Sequence, residues 1–167
     1  MVVFRRKIYN DPNEVWDIIN TLKINMITQG YEVPIVITIN GSFEVLHAGH
    51  INFLKRASEL YFNNILVVSV NSDAYIRDTK NRPPFMSQQD RMTIISSLEF
   101  VDFVVPQNRT CASYIIETIK PNIHCVSSEY KDNIAEMNAI KSVGATLLII
   151  DRAEGYSSSE FIERIKK

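Results

Sequence analysis

Short, mostly apolar runs of residues recur along this chain, and their alternation with helical patterns limits its possible folds more than any other feature. The runs span residues 35–39, 65–70, 101–105, 123–126 and 146–150. A strand that is apolar at successive positions is buried on both faces, which is typical of parallel sheets covered by helices on each side. The alternation therefore predicts an α/β fold: a doubly wound, open parallel sheet of the Rossmann-like type, in a single domain.

Helix boundary residues support this prediction. Asp11 and Pro12 indicate a helix start, because a carboxylate caps the first turn and proline fits the first helical position. Gly30 indicates the end of that helix. Further helices are predicted after residue 49 and over residues 87–98, 110–120, 132–143 and 157–167, and residues 40–49 are predicted to form a loop.

The loop after the first apolar run contains the most informative segment of the sequence. Ligands of open α/β sheets bind beyond the carboxyl ends of the strands, where the strand order reverses. Gly49 would let a ligand approach the backbone at a helix N-terminus, whose free N–H groups favour phosphate. His47 and His50, at the same terminus, could donate hydrogen bonds to phosphate oxygens.

The histidine pair has two other interpretations. Two histidines at this spacing could bind a metal ion, although a zinc site needs further ligands and none lies nearby in the sequence. They could also be core histidines with hydrogen-bond partners inside the protein. The spacing favours the phosphate interpretation and leaves all three open.

Composition excludes several function classes. A net charge of −1 with no basic stripe argues against a nucleic-acid-binding protein. No stretch approaches the ~20 apolar residues that span a bilayer, and no apolar run of a signal peptide follows the N-terminus. Cys111 and Cys125 form no CxxC pair, so we expect reduced, buried thiols in a cytoplasmic protein. His124, inside a predicted strand, is expected to be structural.

Further motifs follow His50 along the sequence. They are Val70-Asn71-Ser72-Asp73, Lys80 with Arg82-Pro83-Pro84, Gln88-Gln89-Asp90-Arg91, Leu98-Glu99-Phe100-Val101-Asp102 and Arg152-Ala153-Glu154-Gly155-Tyr156-Ser157-Ser158-Ser159. Together with His47-Ala48-Gly49-His50, an HxGH signature, they resemble the cytidylyltransferase-like nucleotidyltransferases. The resemblance covers about residues 10–167. It divides the chain into an N-terminal helical extension, residues 1–31, and a nucleotidyltransferase domain, residues 32–167.

The resemblance implies a set of site residues. The catalytic ones would be His47, His50, Lys80 and Arg82. The nucleotide-binding ones would be Asn40, Gly41, Ser42, Phe43, Gly49, Asn71, Asp73, Arg91, Ser157, Ser158 and Ser159. The acceptor-binding ones would be Glu44, Ser127, Glu129 and Tyr130. No protein metal site is implied; Mg²⁺ would enter with the NTP substrate, and the protein would be a homodimer.

Two branches of the family are most similar to this chain. The short leading helix resembles the heptose-1-phosphate adenylyltransferase domain of ADP-heptose synthesis and favours ATP with a sugar-1-phosphate acceptor. Arg152-Ala153-Glu154-Gly155-Tyr156-Ser157-Ser158-Ser159 is similar to the Arg-Thr-Glu-Gly-Ile-Ser-Thr-Thr of glycerol-3-phosphate cytidylyltransferase, which would use CTP. A catalytically silent nucleotide-binding module is a third alternative.

The chain also departs from the family at the acceptor side. Glu44 stands where the family carries aspartate, and Val126-Ser127-Ser128 stands where the heptose branch carries Lys-Gly-Gly. The sequence alone therefore leaves the acceptor open, and the silent module rests on these same departures.

The chemistry expected of such an enzyme explains the residue types. The acceptor phosphate is already an anion near pH 7, because the second pKa of a phosphomonoester is about 6. No general base is required, and catalysis reduces to positioning and to stabilising charge on phosphate oxygens. Imidazoles, Lys, Arg and hydroxyls suit that task.

Overall fold

The structure is a computed structural model that describes residue 4 and residues 6–109, 111–132 and 134–151. Its helices are α1 (Pro12–Thr28), α2 (Ala48–Ser58), α3 (Asp73–Lys80), α4 (Gln88–Ser96), α5 (Ser113–Ile119) and α6 (Met137–Ser142), with a 3₁₀ turn over Ser128–Tyr130. Its strands are β1 (Ile35–Gly41), β2 (Asn64–Asn71), β3 (Phe103–Gln107), β4 (Ile123–Ser127) and β5 (Thr146–Ile150).

Within these residues the strands form one sheet of five, in the order β3-β2-β1-β4-β5. Every neighbouring pair is parallel. Strand order reverses between β1 and β4, because the chain moves outward through β2 and β3 and then crosses back to the other side of β1. The predicted doubly wound, open parallel sheet is therefore confirmed, and its ligand crevice is expected at the carboxyl ends of β1 and β4.

Alternate residues of the same strands point into two different cores. On one face, Ile37 and Ile39 of β1 pack with Leu54 of α2 and Met92 and Ile95 of α4. On the other face lies a second cluster, in which Val36 of β1 packs with residues of β2, β3, α1 and α5. This two-sided burial explains why the strands appear in the sequence as continuous apolar runs.

Helix α1 belongs to the second core. Its residues Val15 and Ile19 are buried there, and Trp16 packs against the same cluster. Asp11 caps the helix by accepting a hydrogen bond from the Asn13 N–H, as the sequence predicts. Gly30, with φ of 77°, closes the other end: its N–H donates to the Ile27 carbonyl and the Tyr31 N–H donates to the Met26 carbonyl.

The structure corrects several predicted boundaries. Residues 73–80 form α3, where the sequence predicted no helix, because the Ser72 hydroxyl caps the first turn at the Tyr75 N–H. Strand β3 continues through Pro106, which an edge position tolerates. Residues 132–143 contain only the six-residue helix α6. The predicted helix over 157–167 lies outside the described residues.

Three motif or core side chains have structural roles. Asp102 accepts a hydrogen bond from the Leu66 N–H at 2.8 Å, and burial raises the pKa of its carboxyl group. Cys125 is buried, which raises the pKa of its thiol to about 12, whereas Cys111 is only partly buried, contrary to prediction.

No helix in the described part of the chain is long and apolar enough to cross a membrane.

His124 is buried in β4, as predicted, and its Nδ1 atom lies 2.9 Å from the Thr38 hydroxyl of β1. Burial lowers the pKa of this histidine from 6.5 to about 4. The folded state therefore holds the neutral ring, while the unfolded state binds a proton below about pH 6.5.

We expect the free energy of unfolding to fall as the pH drops from about 6.5 to about 4. Each pKa unit is worth about 1.4 kcal/mol, so His124 should account for up to about 3 kcal/mol of that loss. Urea unfolding at several pH values would measure it. His124→Asn, which does not titrate, should flatten the curve, and an unchanged slope in that variant would contradict the assignment.

Candidate active site

Segments that follow three strands, β1, β2 and β4, form the carboxyl edge of the sheet. Residues 42–47, the histidine loop, follow β1 and lead into α2. Across the strand reversal, β4 runs into the 3₁₀ turn over Ser128–Tyr130. Helices α3 and α4 follow β2, and the segment between them, residues 81–87, carries the Arg-Pro-Pro motif.

Phe43 shapes the start of the histidine loop. Its backbone has φ of 47°, in the left-handed region, and its side chain is buried. The ring lies against Gly41, where an added Cβ would be 2.7 Å from the phenyl Cζ atom. A side chain at position 41 would therefore displace Phe43, whose ring meets His50 edge-on with centroids 5.4 Å apart. Gly41 and Phe43 thus set the loop that positions His50.

The two histidines lie together at the N-terminus of α2. Their rings stack with centroids 3.8 Å apart and an angle of 18° between planes. His47 is the N-cap residue: its Nδ1 atom accepts the His50 N–H at 3.4 Å, and Gly49 is buried in the first turn. The helix terminus adds the positive end of its dipole. The two imidazole rings thus lie together at a helix N-terminus, an arrangement that suits a phosphate group.

A polar network joins the strand ends beside this loop. The Ser69 hydroxyl of β2 donates to Asn40 Oδ1 at 2.9 Å, and Asn71 Nδ2 donates to the Ser42 hydroxyl at 3.2 Å. Ser69 and Asn71 are buried. These bonds bring together three predicted nucleotide-binding residues, Asn40, Ser42 and Asn71, and fix them relative to each other.

Arg91 is fully buried in this region, whereas arginine is usually a surface residue. Its guanidinium donates to the Ser42 carbonyl at 2.6 Å, to Asp73 Oδ1 at 2.7 Å and to the Met86 carbonyl at 3.2 Å. Arg91 therefore connects the histidine loop to the start of α3 and to the segment before α4. The structure places Arg91 and Asp73 together as a mutual ion pair.

A second ion cluster joins Glu44 to Lys80 and Arg82. The Glu44 carboxylate is buried; Lys80 donates to its Oε2 atom at 2.8 Å, while Arg82 donates to both oxygens through Nη1 and Nη2. Desolvation would raise the pKa of Glu44, but the bonds and charges of the two cations outweigh it and lower that pKa. Glu44 is therefore ionised at neutral pH, and the cluster holds two positive charges and one negative.

The remaining predicted residues lie in different places. Ser127 ends β4, and Glu129 and Tyr130 lie in the following 3₁₀ turn, so these predicted acceptor-binding residues follow the strand next to β1 at the strand reversal. Lys80 is the last residue of α3. Ser157, Ser158 and Ser159 lie outside the described residues.

Two residues of this edge were missing from the predicted site. Phe85 stacks under Arg82, with the guanidinium carbon 4.4 Å from the ring centroid. Gln88 donates to the Val70 carbonyl at 2.8 Å and to Asn108 Oδ1 at 3.1 Å, which ties α4 to the ends of β2 and β3. Gln88 belongs to a recognised motif, whereas nothing in the sequence pattern marks Phe85.

In the ranges that the structure describes, no three His, Cys, Asp or Glu side chains gather in a way that could hold a metal ion. The histidine pair and its surroundings instead offer hydrogen-bond donors, positive charge and a helix terminus. Such a set can bind phosphate groups and stabilise charge that develops on their oxygens.

Comparison with known proteins gives one consistent result. Residues 38–164 match the family model described as Cytidylyltransferase-like. The chain is 38% identical over 133 residues to the bifunctional protein HldE of Campylobacter concisus and 34% identical over 134 residues to that of Nitrosococcus oceani. These alignments cover 78% and 79% of this chain but 27% and 28% of the relatives, so the chain spans about a quarter of their length.

A solved structure is also similar. The crystal structure of the lipopolysaccharide core biosynthesis protein from Thermoplasma volcanium superposes with a TM-score of 0.59 at 27% identity. The match covers 74% of this chain and 98% of that protein.

The buried arginine gives a prediction for stability. Replacing Arg91 with Gln would remove its bonds to the Ser42 and Met86 carbonyls and leave the partly exposed Asp73 without its cation, so we expect the free energy of unfolding to fall by about 2 kcal/mol, the scale of losing the partners of buried polar groups. Arg77→Gln, on the exposed side of α3, should change it by less than about 0.5 kcal/mol. Urea unfolding of both variants tests this, and equal effects would show that the buried contacts of Arg91 add nothing to stability.

Proposed function

The chain belongs to the cytidylyltransferase-like family and is a nucleotidyltransferase, and on that basis we propose that it transfers AMP from ATP to a sugar-1-phosphate such as heptose-1-phosphate. The products would be pyrophosphate and a nucleotide-activated sugar. The observation that carries the proposal is the stacked His47–His50 pair at the N-terminus of α2, beside the strand reversal.

The proposed reaction is a direct nucleotidyl transfer, with displacement at the α-phosphorus. An oxygen of the acceptor phosphate attacks the α-phosphorus of the NTP, a new P–O bond forms, and the bond from the α-phosphorus to the bridging oxygen breaks. The electron pair leaves with pyrophosphate. Because the nucleophile is an anion near neutral pH, no side chain has to remove a proton.

The side chains of the site divide this work. The imidazoles of His47 and His50 would donate hydrogen bonds to oxygens of the α- and β-phosphates as charge moves toward the leaving group. Lys80, whose ammonium makes one bond to Glu44, retains further N–H donors for a phosphate. The network of Asn40, Ser42 and Asn71 supports placement of the nucleotide beside them.

Mg²⁺ is proposed to enter with the NTP. Magnesium in such sites is held chiefly by phosphate oxygens and water, which fits an edge that offers few carboxylates. Asp73, partly exposed and bonded to Arg91 through Oδ1, could supply one ligand. When bound, the ion would neutralise charge on the triphosphate.

Two lines of support favour a sugar acceptor. The similar solved structure is that of a lipopolysaccharide core biosynthesis protein, and the relatives named HldE are 38% and 34% identical over alignments that cover 78% and 79% of this chain. The leading helix α1 also agrees with the heptose-1-phosphate branch. CTP with glycerol-3-phosphate is the second candidate, supported by the likeness of residues 152–159. The homodimer and the cytoplasmic location remain predictions.

A pyrophosphate-release assay with Mg²⁺ tests the proposal. We expect release when ATP is combined with heptose-1-phosphate or another sugar-1-phosphate. ATP, CTP, GTP and UTP should each be crossed with sugar-1-phosphates and glycerol-3-phosphate. Release only with CTP and glycerol-3-phosphate would favour the second candidate. Nucleotide binding without release from any pair would contradict the sugar-1-phosphate assignment and support the silent module.

The histidine pair can be tested separately. His47→Ala and His50→Ala should each lower turnover by at least about 10²-fold, the usual effect of losing one transition-state donor. Circular dichroism and urea unfolding would show that the fold persists. Near-wild-type turnover in both variants would reject the proposed role of the pair.

A further inference from the structure

Glu44 combines three features that direct binding of an acceptor does not explain. Its side chain is inaccessible to solvent, it is ionised, and both of its oxygens are bonded to cations. A carboxylate that held a sugar would need an oxygen that the sugar can reach, whereas the Glu44 side chain has no accessible surface. The observed contacts face Lys80 and Arg82 instead.

Three of the five N–H donors of Arg82 are occupied by local contacts. Its Nη1 atom donates to Glu44 Oε1 and to the Pro83 carbonyl, its Nη2 atom donates to Glu44 Oε2, and its guanidinium stacks on Phe85. Lys80 has one bond to Glu44, so its ammonium keeps two of its three donors. The two cations are therefore held differently: three bonds and a stacked ring fix the guanidinium of Arg82, whereas one bond holds the ammonium of Lys80 and leaves it able to turn two donors toward a phosphate.

The cluster joins distant parts of the chain. Glu44 lies in the histidine loop, three residues before His47, whereas Lys80 ends α3 and Arg82 lies in the segment before α4. Because a bidentate guanidinium–carboxylate pair has fixed geometry, it sets the position of residues 81–87 relative to the histidine loop.

We propose that Glu44 is a positioning residue: its carboxylate anchors Arg82 and thereby holds the ammonium of Lys80 beside the histidine pair. This inference rests on the proposed nucleotidyl transfer. It assigns phosphate contact to Lys80 and an anchoring role to Arg82, and it replaces direct acceptor binding by Glu44.

Glu44→Gln is the main test, because it keeps the size of the side chain and removes its charge. We expect kcat to fall at least about 10-fold, since misplaced binding groups lose transition-state stabilisation, while KM for the acceptor stays nearly unchanged. Glu44→Asp, which retains the charge, should recover part of the loss. A large rise in KM for the acceptor with unchanged kcat would instead show that Glu44 binds the acceptor.

A double-mutant cycle shows whether Glu44 acts through Arg82. If it does, Glu44→Gln combined with Arg82→Gln should lower kcat no more than the more damaging single change. If the double variant instead loses kcat by the product of the two single-variant factors, the proposal is wrong. Glu59→Gln is the matched control, because it removes a carboxylate from the exposed Lys55–Glu59 pair, and it should leave kcat unchanged.

Amide hydrogen exchange tests the anchor without any substrate. The amides within residues 81–87 should exchange at least about 10-fold faster in Glu44→Gln than in wild type, well below the melting temperature of either protein. Unchanged exchange would overturn the proposal. If wild type releases no pyrophosphate from any substrate pair, the proposed function fails, while the exchange result still decides whether Glu44 holds this segment.

Discussion

The central position of β1 is the constraint on which the rest of the structure depends. Its backbone hydrogen-bonds to β2 along one edge and to β4 along the other, so none of its central polar groups is left without a sheet partner. Because β2 and β3 lie on one side of β1 while β4 and β5 lie on the other, the strand order reverses beside β1. The loop that leaves Gly41 therefore emerges at the crevice, and the histidine pair lies there because of the sheet topology.

The sheet brings the loops to one edge, but buried charges set their positions. Arg91 bonds to the histidine loop and to Asp73, and Glu44 bonds to Lys80 and Arg82. Burying such ions is costly, and well-packed apolar residues often stabilise a fold as much. Their value here is geometric, because each ion cluster joins the loop after β1 to the segments after β2.

The sequence predicts the sheet better than it predicts the site. Burial on both faces of the central strands leaves a nearly continuous apolar signal, and each predicted run overlaps a strand, although β3 is displaced to Phe103–Gln107. Helix α3 was missed because Ile76 is its one buried residue, which gives no apolar period. The partnership of Glu44 with Arg82 spans 38 positions, and the burial of Arg91 opposes the usual exposure of arginine. Neither relation produces a local pattern, so only the folded structure reveals it.

The Nδ1 atom of His47 links the capping of α2 to the chemistry proposed for this histidine. Because Nδ1 accepts the His50 N–H at the start of α2, that nitrogen carries no proton, and the neutral ring must hold its proton on Nε2. The bond that begins the helix thus selects the tautomer with a donor at the far side of the ring. A phosphate needs such a donor and no base. The same local interaction therefore begins α2 and leaves His47 with the kind of donor that the proposed phosphate contact requires.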